Sequence, residues 1–208
     1  MNPDHKSQHG IESYIEKYLP GPGFFVEIGA WDGEIISQTI RLEQDKGWKG
    51  ICVDPFPHGF SNRDCDVVWR AISKDGKDRE FLQVSIDRRN GGDVSYFSGF
   101  ADSMGANLEL IYDHCDYNRV TVKTVTIDNL WERYKLPNYV DFLSVDTEGS
   151  ELEIFQSIDF SKLSFGLIVF EHNENINVKH NIGRLLNYAG YKLLDELRCD
   201  DIYINSNI

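Results

Sequence analysis

The 208-residue sequence predicts an α/β fold built on a mainly parallel sheet. Short apolar segments alternate with segments whose apolar residues recur at helical spacing, which is typical of parallel strands covered by helices. One apolar segment ends in Glu27 and a glycine-containing loop, the pattern of a buried strand that turns sharply into a helix. A chain of this length can bury a full core, so we expect one domain, residues 1–208.

The elements follow in order from the N-terminus. Apolar residues from Ile11 to Leu19 recur at helical spacing and are followed by Pro-Gly-Pro-Gly, which predicts a first helix. Strands are predicted at 24–28, 50–54, 67–72, 140–145 and 167–170. Further helices are predicted at 35–46, at 130–134 with Asp128 as N-cap, around 152–158 and around 182–189. The last two strands, 191–194 and 201–204, are expected to pair antiparallel.

Residues 77–127 interrupt this regularity. Apolar and polar residues alternate at 81–86 and 120–125, as in half-exposed strands, and a polar, glycine-containing segment at 87–118 separates them. We therefore predict an inserted hairpin with a long loop. Such loops are often lids or substrate loops.

Composition narrows the classes of partner. The net charge of −13 argues against a nucleic-acid partner, because phosphate-backbone binding depends on basic side chains. A small neutral or sugar-like acceptor fits better. The four cysteines have neither metal-ligand nor redox spacing, which favours reduced thiols and a cytoplasmic protein. No segment has the length and apolar character for a signal sequence or membrane insertion.

The loop Gly29-Ala30-Trp31-Asp32-Gly33 indicates a nucleotide-like ligand other than a dinucleotide. It lacks the middle glycine that lets a diphosphate approach the backbone. Asp54 follows Gly33 by 21 residues, the spacing expected for a carboxylate that binds a ribose diol. Glu27 and Asp32 suit a positively charged ligand. S-adenosylmethionine has an adenosine, an ammonium and a sulfonium, and carries no phosphate.

Four predicted strands end in an acid: Glu27, Asp54, Asp146 and Glu171. Each acid alone could be a helix cap. The carboxyl ends of parallel strands meet at one edge of the sheet, where ligands bind. Because unpaired carboxylates repel one another, four acids at that edge favour a cationic ligand or a metal ion.

These motifs resemble those of the FkbM family of S-adenosylmethionine-dependent methyltransferases. The resemblance extends from Ser7-Gln8 to Glu171-His172-Asn173 and is most specific at the Asp-Thr-Glu-Gly motif of residues 146–149. It is carried by Phe25-Val26-Glu27-Ile28-Gly29-Ala30 with Asp32-Gly33, by Gly50-Ile51-Cys52-Val53-Asp54-Pro55, by Ala71-Ile72-Ser73, and by Val140-Asp141-Phe142-Leu143-Ser144-Val145-Asp146-Thr147-Glu148-Gly149.

The resemblance implies a Rossmann-like class I methyltransferase fold: a mostly parallel seven-stranded sheet with an antiparallel C-terminal strand, helices on both faces, and the insertion between the third and fourth core strands. It also implies S-adenosylmethionine as cofactor. The cofactor-binding residues that it implies are Gln8, Glu27, Gly29, Ala30, Trp31, Asp32, Gly33, Ser37, Asp54, Pro55, Phe56, Ala71, Ile72 and Asp146. Purely structural roles stay open as alternatives to cofactor binding: Ser37 as a helix cap, and Ala71 and Ile72 as buried strand residues.

The candidate catalytic residues are Asp146, Glu148, Glu171 and His172. Asp146 is expected to face the reactive end of the cofactor, and Glu148 either to orient it or to serve the turn. His172 is the candidate base, since a neutral imidazole can take a proton from a hydroxyl near pH 7, although a histidine at such a position is as often structural. A divalent cation such as Mg²⁺ at Asp146 and Glu171 is left open, because oxygen ligands suit it but no spacing requires it.

The sequence therefore predicts O-methylation of a hydroxyl on a sugar, glycan or small natural-product-like acceptor. RNA 2′-O-methylation is one alternative, disfavoured by the acidic charge and by the lack of a suitably placed lysine between Asp146 and Glu171. An NAD-dependent sugar oxidoreductase or epimerase is the other. It lacks support because neither Gly-x-Gly-x-x-Gly nor Tyr-x-x-x-Lys occurs where that chemistry requires it.

Overall fold

The computed structural model describes residues 10–105 and 107–208. The strands are β1 (Phe24–Ile28), β2 (Lys49–Asp54), β3 (Asp66–Trp69), β4 (Ala71–Ile72), β5 (Arg79–Asp87), β6 (Gly99–Phe100), β7 (Cys115–Val122), β8 (Thr124–Val125), β9 (Tyr139–Val145), β10 (Ser164–Glu171), β11 (Tyr191–Leu197) and β12 (Asp200–Asn205). The helices are α1 (Glu12–Tyr18), α2 (Ile40–Lys46), α3 (Asn107–His114), α4 (Ile127–Tyr134), α5 (Glu151–Ser157) and α6 (Ile176–Tyr188).

The central sheet has seven strands in the order β11-β12-β10-β9-β1-β2-β3. β12 runs antiparallel to both β10 and β11, while the pairs from β10 to β3 are parallel. The strand order reverses between β9 and β1, so the crevice at their carboxyl ends is where a ligand is expected in such a sheet. The structure is a mixed α/β fold with a largely parallel sheet, compatible with a Rossmann-like methyltransferase.

Helices cover both faces of this sheet because its inner strands are apolar on both sides. Val26 and Ile28 pack with α4, α5 and α6 in one buried cluster. Phe25, from the same strand, packs with α1 and α2 in a second cluster on the other face. Continuous burial along β1 and β9 is typical of central parallel strands.

Two predicted elements around the glycine loop and β3 differ from the structure. The helix predicted at 35–46 begins only at Ile40, because residues 37–39 turn toward the carboxylate of Glu27 and donate hydrogen bonds to it. The strand predicted at 67–72 is divided at Arg70. β4 leaves the central sheet there and pairs with β8.

The inserted hairpin is confirmed: β5 pairs antiparallel with β7, and β6 adds a third strand. The prediction of a long loop at 87–118 was wrong in part, because this segment contains the strand β6 and the helix α3. The N-cap predicted at Asp128 was also wrong. Thr126 caps α4, because its hydroxyl accepts the N–H of Asn129 at 3.2 Å.

Candidate active site

Two adjoining clefts open at the carboxyl edge of the central sheet. The first cleft, of about 370 Å³, is bordered by the ends of β1, β2 and β9, by β4 and by the insertion. The second cleft, of about 490 Å³, extends from residues 35–38 across β9 and β10 to the turn between β11 and β12. They share Gly29, Trp31, Tyr96, Asp146 and Glu148. A ligand that crosses this junction can therefore occupy both clefts.

Gly29 allows the ends of β1 and β9 to approach closely at the junction. Its φ is +83°, and a Cβ at this position would lie 1.5 Å from the backbone oxygen of Asp146. Its N–H also donates to the oxygen of Val53 at 2.9 Å, which ties the loop to β2. Only glycine fits here, for reasons of both conformation and space.

Asp54 anchors the glycine loop to the end of β2. Its carboxylate accepts the N–H groups of Trp31 at 3.0 Å and Phe56 at 2.7 Å. Burial raises the pKa of Asp54 to about 6, although both hydrogen bonds oppose the shift. The indole N–H of Trp31 donates in turn to Ser95 Oγ at 2.9 Å, so the loop also contacts the insertion.

Aromatic rings from the core and the insertion form the wall of the first cleft. The Phe81 ring of β5 lies 5.7 Å, centroid to centroid, from both Phe56 and Phe100. Ala71 and Ile72 complete the apolar lining near Gln83. The sequence predicts Phe56, Ala71 and Ile72 here but gives the insertion only a role toward the acceptor. Strand alternation at 81–86 was the signal that could have placed Phe81 and Gln83 on this wall.

Glu27 is buried beneath the second cleft and holds the segment that borders it. Its carboxylate accepts hydrogen bonds from Ser37 Oγ at 2.9 Å, from the N–H of Gln38 at 2.8 Å and from Thr39 Oγ1 at 2.6 Å. The buried guanidinium of Arg63 lies 3.9 Å away and also donates to Thr39 Oγ1 at 2.9 Å. Arg63 was not predicted, since no sequence pattern links it to Glu27.

Asp32 and Gly33 line neither cleft and shape the loop from behind. Asp32 accepts the N–H groups of Glu34 and Ile35, both at 2.9 Å, and burial raises its pKa. Gly33 has a φ of +70° and faces the Phe60 ring, 2.4 Å from where a Cβ would lie. Of the other predicted cofactor residues, Ala30 and Ser37 line the second cleft and Pro55 the first, while Gln8 lies outside the described residues.

Three carboxyl groups meet where the clefts join. One oxygen each from Asp146, Glu148 and Glu171 lies within 4.8 Å of the others. Desolvation raises the pKa of Asp146 to about 7, and burial also raises the pKa values of Glu148 and Glu171. Burial and the neighbouring Asp146 both raise the pKa of Glu171, so this pair of carboxyl groups retains a proton near neutral pH. Asp146 is the carboxylate of this group that can accept a proton near neutral pH.

Carboxylate oxygens at this spacing suit a divalent cation such as Mg²⁺ as well as a shared proton. We derive no step through a metal ion.

His172 directly follows β10 and lines neither cleft. The residue is 4% exposed, and its Nδ1 accepts the N–H of Glu174 at 3.2 Å. Nε2 is directed to Asp201, 3.5 Å from Oδ1. The structure thus brings Asp146, Glu148 and Glu171 together but separates His172 from them. Asn173, the next residue, reaches the cluster instead and donates to Glu171 Oε2 at 2.7 Å.

Comparison with protein-family models supports a methyl-transfer function. The model described as the methyltransferase FkbM domain matches residues 27–193, which include all residues that line the two clefts except Arg198 and Cys199. The chain belongs to the FkbM methyltransferase family. A search of curated proteins found no match to it. Within residues 10–105 and 107–208 of this FkbM methyltransferase, no helix has the length and apolar character needed to cross a membrane.

The raised carboxyl pKa values predict that this methyltransferase loses stability as the pH rises. A carboxyl whose pKa is higher in the folded state binds more protons there than in the unfolded chain. Its contribution is therefore complete below about pH 4 and is lost as the pH rises through the folded pKa. Asp54 and Asp146, at about 6 and about 7, place their part of this loss between pH 4 and 8, and the raised pKa values of Glu148 and Glu171 continue the loss at higher pH.

We expect the free energy of unfolding, measured in urea without ligand, to fall from pH 5 to pH 8, with Asp54 contributing on the order of 1 kcal/mol and Asp146 on the order of 3 kcal/mol. Asp146→Asn should flatten this dependence, while Asp113→Asn, at an exposed position on α3, should not. A stability that rises over this range would contradict the assignment of these carboxyl groups.

Proposed function

We propose that this protein transfers a methyl group from S-adenosylmethionine to a hydroxyl oxygen of a sugar, a glycan or another small polar acceptor. The observation that carries the proposal is the junction, at Gly29 and Asp146, of an aromatic cleft that contains Asp54 with a second, polar cleft. We further propose that residues 1–208 act as one domain in this reaction.

The first cleft suits an adenosine. Asp54 already accepts two backbone N–H groups, and its remaining lone pairs can accept ribose hydroxyls. Pro55, Phe56 and Ile72 offer the apolar surface that a purine ring requires. No diphosphate is accommodated, because Trp31 occupies the turn where a dinucleotide-binding loop has glycine.

The second cleft suits the methionine portion and the acceptor. Ala30, Ser37 and Gln38 border it on the β1 side, above the buried negative charge of Glu27. On the β10 side Asn173 and the carboxyl cluster provide polar contacts, and Tyr96 and Phe97 provide aromatic surface. Polar groups beside aromatic rings are the chemistry that recognises a polyhydroxylated molecule.

In the proposed reaction Asp146 takes the proton of the acceptor hydroxyl. S-adenosylmethionine supplies a methyl group on a sulfonium. The acceptor oxygen forms a bond to the methyl carbon as the carbon–sulfur bond breaks and its electron pair stays on sulfur. Alignment of donor and acceptor contributes most of the rate, and a base adds about 10²- to 10⁴-fold. We assign this role to Asp146 rather than to His172, because His172 faces Asp201.

The alternatives fit the clefts less well. Among the described residues no lysine lines either cleft, whereas RNA 2′-O-methylation with a Lys-Asp-Lys-Glu set needs lysines beside the acids. An NAD-dependent oxidoreductase would need room for a diphosphate at the glycine loop, where Trp31 donates to Ser95.

Asp54→Asn tests the adenosine assignment. It should weaken binding of S-adenosylmethionine, measured by calorimetry, by about 10- to 100-fold, because one charge-assisted acceptor for the ribose is lost. Asp66→Ala, at an exposed position on β3, is the control and should leave affinity within twofold. Unchanged affinity in Asp54→Asn would contradict the proposed placement of the adenosine.

A further inference from the structure

The insertion packs closely against the turn that carries Glu148. Glu148 itself has a φ of +57°, a left-handed conformation that non-glycine residues seldom adopt. A Cβ on Gly149 would lie 2.2 Å from the backbone oxygen of Ser103, and a Cβ on Gly99 would lie 3.2 Å from that of Glu148. The insertion therefore fixes the position of this turn at the junction of the clefts.

Two asparagine amides converge on one oxygen of Glu148. Asn107 Nδ2, at the start of α3, donates to Glu148 Oε2 at 3.0 Å, and Asn173 Nδ2 donates to the same oxygen at 3.2 Å. Asn173 Nδ2 also donates to Glu171 Oε2 at 2.7 Å, so both of its N–H groups are used. An unbroken series of hydrogen bonds thus runs from the insertion to Glu171.

The series of hydrogen bonds ends beside Asp146, the residue that we assign as base. Glu171, where the series ends, has a carboxyl oxygen within 4.8 Å of an oxygen of Asp146. Glu148 is 8% exposed and Glu171 7%, so water does not replace these contacts readily. In such a setting hydrogen bonds fix side-chain orientation and tune neighbouring groups.

We propose that Asn107 and Asn173 are positioning residues which, through Glu148, hold the Glu171 carboxyl against Asp146. The proposal rests on the proposed function in that it makes Asp146 the base. It gives the insertion a second task, because the segment that contributes Tyr96 and Phe97 to the second cleft also sets the geometry of the reacting carboxyl pair. A displacement of α3 by an acceptor would be transmitted to Glu171.

The test measures Glu171 directly and needs no acceptor. Protein labelled with ¹³C at the glutamate side-chain carboxyl is observed by NMR, and the Glu148 and Glu171 signals are assigned from Glu148→Gln and Glu171→Gln. Asn107→Ala should move both signals, although Asn107 does not contact Glu171. When Asn173→Gly, which suits the left-handed φ of +47°, is added, Asn107→Ala should move the Glu148 signal only.

Asn118→Ala, at an exposed position on β7, is the matched control and should move neither signal. A Glu171 signal that stays in place in folded Asn107→Ala protein, or that moves equally in the Asn173→Gly background, would overturn the relay. Calorimetry on the wild-type protein separates the two claims, because failure to bind S-adenosylmethionine would contradict the proposed function whatever the NMR signals show.

Discussion

Asp146→Asn is expected to lower kcat for methyl transfer by about 10²- to 10⁴-fold, the contribution of a general base. Asparagine preserves the shape of the side chain but cannot take a proton. The measurement is transfer of labelled methyl from S-adenosylmethionine to a hydroxyl acceptor. Because the pKa of Asp146 is raised to about 7, the wild-type rate should rise with pH up to about 7 and level off above it, as the carboxylate becomes available.

Two controls separate loss of the base from loss of structure. Glu171→Gln keeps a hydrogen-bond donor near Asp146 and should reduce kcat less than Asp146→Asn. Asp113→Asn should leave kcat unchanged. Full activity in Asp146→Asn, with the wild-type pH profile retained, would refute the role of Asp146 as base. The base would then have to be another group in the second cleft.

Gly29→Ala is expected to destabilise the protein by more than about 4 kcal/mol. The added Cβ would lie 1.5 Å from the backbone oxygen of Asp146, so the ends of β1 and β9 would have to separate. Backbone cannot move aside as a flexible side chain can. Urea unfolding measures the loss, and calorimetry should show loss of S-adenosylmethionine binding in whatever protein folds.

Gly47→Ala provides the matched control. Gly47 also has a positive φ, +67°, but no atom lies within 4 Å of where its Cβ would be. Its cost should be limited to backbone conformation, about 1 kcal/mol. If Gly29→Ala costs no more than Gly47→Ala, close approach of β1 and β9 is not what requires glycine at position 29.

The strands that carry the site were predictable because buried parallel strands have continuous apolar sequences. β1, β2, β9 and β10 are apolar segments that end at or next to an acid, and parallel strands bring those ends to one edge. The spacing of Asp54 from the glycine loop also predicted its place at the end of β2 beside that loop. The match to the FkbM family confirms the resemblance drawn from these segments.

The remaining features depend on contacts between residues far apart in sequence. The helix after the glycine loop begins later than predicted because residues 37–39 donate hydrogen bonds to Glu27. Helical periodicity in the sequence does not reveal these hydrogen bonds. α3 buries only Ile111 fully, so its apolar pattern is too weak to predict a helix. Nothing local in the sequence signals that Asn107 reaches Glu148 or that Arg63 lies near Glu27.

Calorimetry of the wild-type protein with S-adenosylmethionine and with NAD tests the central claim most directly. The shape of the glycine loop, with Trp31 in place of the glycine that a diphosphate needs, predicts that S-adenosylmethionine binds at least about tenfold more tightly than NAD, a difference of about 1.4 kcal/mol. Tighter binding of NAD would contradict the assignment of both clefts and with it the proposed methyl transfer.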